Sequence, residues 1–401
     1  MQIRPKIRFN EFTEEIPLVP MAELGNFIGG GTPDKEVQGY WEGDIPWISS
    51  SDIEEDNIDS INVSRHITEQ ALKKSATKLI PANSLLFVSR VGVGKLAVNK
   101  TALCTSQDFT NFTPSYMAPH YVAYFFQKNR NLLNRYSQGT SIKGLTSAEI
   151  KKIKITVPNP VEQQKIAAFL TAVDKKISLL KEKHALLEQY KKGVIQKLFK
   201  QEIRFKDDDG GEYSDWQEYR LSDVLELTLN PIKMADESDY ELITVRRRNG
   251  GVDSRGLYKG KEVLVKSQFA LKKNQFVISK RQIVHGACGI VPSILEGAIV
   301  SNEYNVFDVV PDILDVHFFN LFSQTKYMRR AYFINSDGVH IEKLLFKTQS
   351  WLKTKVTIPS LSEQKKIVAF VESLNAKIVA IKKQIELTRT FKKGLLQQMF
   401  V

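Results

Sequence analysis

Three consecutive arginines, Arg246, Arg247 and Arg248, stand before a glycine pair in the stretch VRRRNGG. A guanidinium can pair bidentately with guanine O6 and N7 or hold a phosphate, and a glycine turn could carry such groups into a groove. Because neighbouring strand residues face opposite ways, at least one of the three is expected to point away. Two further stretches, VSRVGVGK and ISKRQIVHG, bring Ser89, Arg90, Lys95, Ser279, Lys280, Arg281 and His285 to matching places. A glycine-rich turn lets backbone amides approach a phosphate, which a hydroxyl and a cation would complete. Thr32 in GGGTP and Lys143 in GTSIKGLT are further candidates of the same kind. A nucleotide-binding P-loop is excluded, since Leu96 follows Lys95 where that motif needs Ser or Thr.

Other chemistry finds little support. Cys104 and Cys288 are the only cysteines, far apart and without CxxC or Cys/His spacing, so neither a disulfide framework nor a zinc site is expected. Both read as core thiols in a reducing, cytoplasmic setting. No metal ligands and no catalytic residues are assigned. The signature of adenine methylation, a glycine-rich cofactor turn and helicase boxes are all missing. That weighs against a self-sufficient DNA methyltransferase. No apolar run is long enough to span a bilayer. Lys and Arg number 57 against 45 Asp and Glu, giving a net charge of +12 that suits a polyanionic partner.

The elements that must position these groups come from a duplication. Residues 158–200 and 359–401 align without a gap at an offset of 201, and sixteen of the 43 pairs are identical. Within the first copy Ile166, Leu170, Val173, Ile177, Leu180 and His184 follow steps of four and three. The second repeats the seam as Ile367, Val371, Leu374, Ile378, Ile381 and Ile385. Such spacing predicts coiled-coil helices, with His184 a packing feature. Asn159-Pro160 opens the first, and Ser360 with Glu363 fits a capping box at the second. Lys191 and Lys392 break the seam at the same place, so their ammonium groups are expected to snorkel out or to meet a partner subunit. The exposed lysines Lys175, Lys176, Lys181 and Lys183 read as a solvated face.

Connectivity argues that the helices run antiparallel, because a parallel pair would force residues 201–358 to cross back along the helix length. The end of the first helix then lies beside the start of the second, and the N-terminal segment beside Val401. The expected fold is α+β: two mixed α/β segments, 1–157 and 201–358, separated by two long helices, 158–200 and 359–401. The helices form an antiparallel coiled coil with pseudo-twofold internal duplication. Two similar but unequal modules on a helical spacer match double-stranded DNA carrying two different half-sites around an unread gap. A coiled-coil scaffold with two protein-binding adaptor domains is the rival, and it leaves the basic, diverged segments unexplained.

Several motifs carry a resemblance over essentially the whole chain: the paired P…EQ-KI openings at Pro158 and Pro359, GDIPWISSSDI from Gly43, SRVGVGKLAV from Ser89, SQGTSIKGLTSAEIKKIKITVP from Ser137, DWQEYRLSDV from Asp215, ITVRRRNGGV from Ile243 and GIVPSILEGAIVSNEYNVF from Gly289. The chain resembles the specificity subunit of a type I restriction–modification enzyme, in which two target recognition domains alternate with two helical conserved regions. It departs in lacking, in TEEIPLVPMAEL, the tryptophan supplied by Trp216 in the second half, and in FINSDGVHIEKLLF, which has drifted from GTSIKGLT. The resemblance implies a subunit without chemistry of its own. It would bind two modification subunits, which methylate adenine using S-adenosylmethionine, and, in the full complex, motor-nuclease restriction subunits using ATP and magnesium. Those cofactors would belong to the partners.

Overall fold

The computed structural model describes residues 5–130, 145–340 and 344–400. The chain separates into two compact units, Met1–His184 with Ala380–Val401, and Ala185–Val379. Each unit contains one α/β head and parts of both long helices, Pro160–Phe199 and Leu361–Met399. In the first unit Ile166, Leu170, Val173 and Ile177 share a core with Leu395, Met399 and Phe400. In the second, Leu198 shares a core with Ile367 and Val368. Early turns of each helix therefore meet late turns of the other, and the pair is antiparallel. Of the seam residues, Ile367, Val371, Leu374, Ile378 and Ile381 are buried, while Leu180 and His184 are half-buried. Val401 itself lies outside the described residues, but Phe400 beside it packs on Tyr121 and Phe125 of the first head. No helix among the described residues is long and apolar enough to cross a membrane.

The duplication extends into the heads. The first has a four-stranded antiparallel sheet in the order Gly25–Gly29, Phe109–Pro114, Leu85–Val88, Leu96–Val98, and the second has Leu225–Leu227, Tyr304–Val309, Phe276–Ser279, Cys288–Ile290. A second sheet runs Arg65–Ile67, Ile45–Ile48, Leu103–Thr105, Leu79–Ile80 in the first head. Its counterpart runs Val252–Lys259, Asp239–Val245, Ile299–Ser301, Gln268–Ala270, with Pro231–Ile232 added at the edge. Each of these second sheets contains one parallel pairing, Trp47 with Cys104 and Leu242 with Ile299, at corresponding places. Each head is closed by pairing its first strand with its last, Leu18–Pro20 with Lys154–Thr156 and Gln217–Arg220 with Lys355–Ile358. The last strand leads directly into a long helix.

The Glu-Gln step of the repeated opening is explained by two polar clamps. Arg8 Nε and Nη2 donate to Glu162 at 2.7 and 2.8 Å, and Arg204 Nε and Nη2 donate to Glu363 at 3.1 and 2.7 Å. The neighbouring Gln163 accepts from the amide of Ala118 at 3.0 Å, and Gln364 from that of Asp315 at 2.8 Å. Ala118 and Asp315 are the N-caps of the helices Pro119–Lys128 and Val316–Phe322. Fork-to-fork arginine–carboxylate pairs are strong and fix geometry. This corrects the expected capping box: Ser360 Oγ accepts from Glu363 N at 3.4 Å, but the Glu363 carboxylate is taken by Arg204.

One of the two lysines that break the seam is also corrected. Lys392 does not snorkel. It is buried, its Nζ lies 2.7 Å from both carboxylate oxygens of Asp174, and Tyr124 donates to the same carboxylate at 2.8 Å. Burial lowers the Lys392 pKa below the usual lysine range, opposed by Asp174, and burial pushes the Tyr124 phenol up. The 201-residue offset carries this pair to Lys191 and Asn375, where Lys191 is half-buried and donates to the amide oxygen at 3.0 Å. One copy therefore holds a buried ion pair, while the other gives its half-buried lysine a neutral acceptor and, 3.7 Å away, the carboxylate of Glu188. Removing one member of a buried pair leaves an uncompensated charge, so Asp174→Asn should destabilise the protein by about 3–5 kcal/mol. The mirror change Asn375→Asp, beside a partly hydrated lysine, should alter stability by no more than about 1 kcal/mol. Chemical denaturation midpoints of the two variants test this asymmetry.

Candidate nucleic-acid interface

In the second head the arginine run forms the tip of a hairpin. The strands Asp239–Val245 and Val252–Lys259 pair, and the Arg246 amide donates to the carbonyl of Gly251 at 2.9 Å. Arg248 and Asn249 take left-handed conformations, with φ of 59° and 56°, a region that costs most residues about 1–2 kcal/mol. The compensation is main-chain docking: Arg248 N donates to His285 O at 2.7 Å, and Asn249 N to Gly286 O at 2.8 Å. Gly286 has φ +75°, and a Cβ there would lie 2.8 Å from Asn249 Oδ1, so both geometry and space call for glycine. VRRRNGG and ISKRQIVHG, separate in sequence, thus form one rim. Arg246, Arg247, Arg248 and Arg281 are exposed on it, and Lys280 is half-buried.

The first head builds the corresponding place from different residues. Its turn after Leu85–Val88 carries Gly92 and Gly94, with φ of 89° and 94°. Lys95 donates from this turn to the carbonyls of Ser50 and Ile53 at 3.1 and 3.3 Å, in the tip of the second sheet. Turn and tip therefore meet in both heads, through a side chain in one and through the main chain in the other. The first tip is acidic and hydroxyl-rich: Asp52 accepts from Arg65 at 2.8 Å and from the Ser49 hydroxyl at 2.9 Å. Burial alone would raise the Asp52 pKa, but the Ser49 amide and hydroxyl and Arg65 outweigh it and hold the carboxyl below its usual range. Arg65 also stacks 4.5 Å above the Trp47 ring. Sequence reasoning missed Arg65 and Trp47, whose pairing across adjacent strands appears only once Trp47 and Arg65 are in register.

Several expected contacts must be revised. Ser89 is buried, with its hydroxyl donating to Asp108 O at 3.1 Å and accepting from Thr110, so both contacts are spent within the head. Ser279 is buried as well, at the end of its strand. The Lys95 ammonium is engaged within the head, as described above. Thr32 is half-buried and bonded to Gln107. Arg90 is exposed beside the glycine turn. Arg281 is exposed but ion-paired to Glu303 at 2.6 Å, and Arg246 meets Asp253. Lys143 lies outside the described residues. No group of three or more metal-binding side chains occurs among the described residues. Burial pushes both cysteine thiols up to about 11, which favours the neutral thiol.

The family comparisons agree with this architecture. A family model described as the type I restriction modification DNA specificity domain matches residues 14–189 and again residues 213–389. The chain is 31% identical over 220 residues to the MjaIX specificity subunit of Methanocaldococcus jannaschii, covering 51% of this chain and 50% of that protein. It is 34% identical over 168 residues to the EcoR124I/EcoR124II specificity subunit of Escherichia coli, covering 40% of this chain and 41% of the other. These matches span half or less of both relatives. A match at 23% identity to the MjaVIII specificity subunit of M. jannaschii covers 96% of this chain and 91% of that protein. Among solved structures, the S subunit of a type I system from M. genitalium superposes with a TM-score of 0.58 at 15% identity, over 100% of this chain and 99% of that one. The HsdS subunit from Thermoanaerobacter tengcongensis gives 0.50 at 15% identity, over 96% and 95%. At such identities these likenesses speak for the fold. With both copies of the domain matched, the chain belongs to the family of type I restriction–modification DNA specificity proteins.

Proposed function

We propose that this chain is the sequence-specific DNA-binding subunit of a type I restriction–modification system, without catalytic residues of its own. The observation that carries this reading is that two heads of one topology present different tips, three arginines in the second and Asp52, Ser49 and Arg65 in the first. Modules with one scaffold and unlike tips suit an asymmetric bipartite site, each head reading one half. Phosphate contacts from the basic residues would position each head, and side chains at the tips would read base edges.

The helices serve two purposes in this reading. Their length fixes the number of unread base pairs between the half-sites, and their outer faces dock two modification subunits. An apolar groove in the first unit is lined by Phe169, Val173, Leu387 and Phe391, with Phe169, Leu387 and Phe391 exposed by 40, 59 and 54%. The 201-residue offset carries it to Phe370, Leu374, Leu186 and Tyr190, of which Leu186 and Tyr190 are exposed by 57 and 52% in the second unit. A duplicated apolar patch fits two copies of one partner, and large exposed apolar residues in a cluster mark interaction surfaces. S-adenosylmethionine would enter with those subunits, and ATP and magnesium with motor-nuclease subunits of a complete complex.

Two experiments test the proposal. Inserting one heptad at the midpoint of each long helix adds about 10 Å of rise, so the unread spacer should lengthen by about three base pairs while both half-sites keep their sequence. Mapping methylated adenines after co-expression with the modification subunit reads this out, and an unchanged spacer would contradict the ruler. Replacing Phe391 with Asp should reduce the mass of the assembled complex by one modification subunit, and adding Tyr190→Asp should remove the second. A complex of unchanged mass would place the docking surface elsewhere.

A further inference from the structure

Three cations on the rim of the second head are already paired. Arg246 Nε meets Asp253 Oδ2, Arg281 Nε lies 2.6 Å from Glu303 Oε2, and Lys347 Nζ contacts Asp337. The three pairs belong to one surface, because main-chain bonds join their elements: Arg248 N to His285 O at 2.7 Å, Lys280 N to Glu303 O at 3.0 Å and Phe346 N to Lys280 O at 3.1 Å. The carboxylates therefore stand among the groups that would meet the duplex. The side chains of Arg246, Asp253, Arg281 and Glu303 remain between 41 and 64% exposed. Ion pairs as exposed as these are weak and exchange partners readily.

We propose that Asp253 and Glu303 are specificity-determining residues of the second head. The inference rests on the reading that this rim binds DNA. On an arbitrary duplex, transferring Arg246 or Arg281 to a phosphate leaves Asp253 or Glu303 unpaired beside a polyanion, which opposes non-specific binding. On the correct half-site, each released carboxylate accepts a hydrogen bond from an exocyclic amino group in the major groove, as carboxylates do with cytosine N4. The acids thus convert part of the electrostatic, sequence-independent attraction into a requirement for an amino donor at a defined position. Only Asp253 and Glu303 are assigned this role. Asp337 is joined to the rim through a short two-stranded pairing with Leu345 and lies further along the chain from the arginine tip.

The test compares the full chain with Asp253→Asn and Glu303→Gln, singly and together, in filter binding from 50 to 200 mM salt. The probes are a duplex selected by the unaltered protein from a random pool and a scrambled duplex of the same length. Each variant should bind the scrambled duplex about tenfold more tightly, with a salt slope steeper by about one, while affinity for the selected duplex changes less than about threefold. A ratio between the two duplexes that stays as in the unaltered protein would overturn the inference. Replacing Arg246, Arg247 and Arg248 together with Ala separates the two levels. If that variant binds DNA as the unaltered chain does, the rim reading fails and the inference with it. If it binds more weakly while the acid variants keep the original ratio, only the inference fails.

Discussion

Everything in this fold depends on two copies of one amphipathic helix packing in opposite directions. Ile166, Leu170, Val173 and Ile177 find their cover on Leu395, Met399 and Phe400, while Ile367 and Val368 find theirs on Leu198. Burying each such side chain contributes about 1.5–3 kcal/mol. Reversal has a consequence for each head. The last turn of the second helix supplies Phe400 to the core of the first head, and the last turn of the first supplies Phe199 to the Phe318 and Phe322 rings of the second. Each head is thus completed by the end of a helix whose other end carries a buried Glu-Gln clamp.

Those clamps explain why certain residues recur when the heads otherwise diverge. Glu162 and Glu363 are each 1% exposed, and such carboxylates must be paired. Arg8 and Arg204 supply the guanidinium groups, and of the phenylalanines that follow them, Phe9 meets Phe169 edge-on and Phe205 lies tilted against Phe370 of the helices. The sequence match between KIRFNEF and EIRFKDD therefore marks a mechanical joint between head and helix. The tips, under no such constraint, are free to become acidic in one head and basic in the other.

The helices and their antiparallel sense were legible because period and connectivity are local or topological signals. What stayed hidden depends on long-range partners. Lys392 looked like a solvated break in the seam because its counter-ion Asp174 lies 218 positions away. Ser89 looked like a phosphate ligand because a hydroxyl before a glycine turn suits a ligand as well as it suits the Asp108 carbonyl that it meets. The joining of VRRRNGG to ISKRQIVHG rests on main-chain bonds at Arg248 and Asn249 in a left-handed conformation, which residue types do not announce. The carboxylates facing the arginines escaped for the same reason, since cross-strand and turn-to-turn neighbours follow from register.

The most direct test of the reversed pairing is a distance. Nitroxide labels on cysteines placed at Ala172 and Thr388, with the buried Cys104 and Cys288 replaced by Ser or Ala, would report by pulsed electron resonance in the full chain. Both positions line one groove, so the account predicts a single short separation across two helices in contact. A parallel pair aligned copy on copy would instead set Ala172 against Ser373, and the helical rise would carry the labels roughly 22 Å further apart, a result that would contradict the fold and the function derived from it.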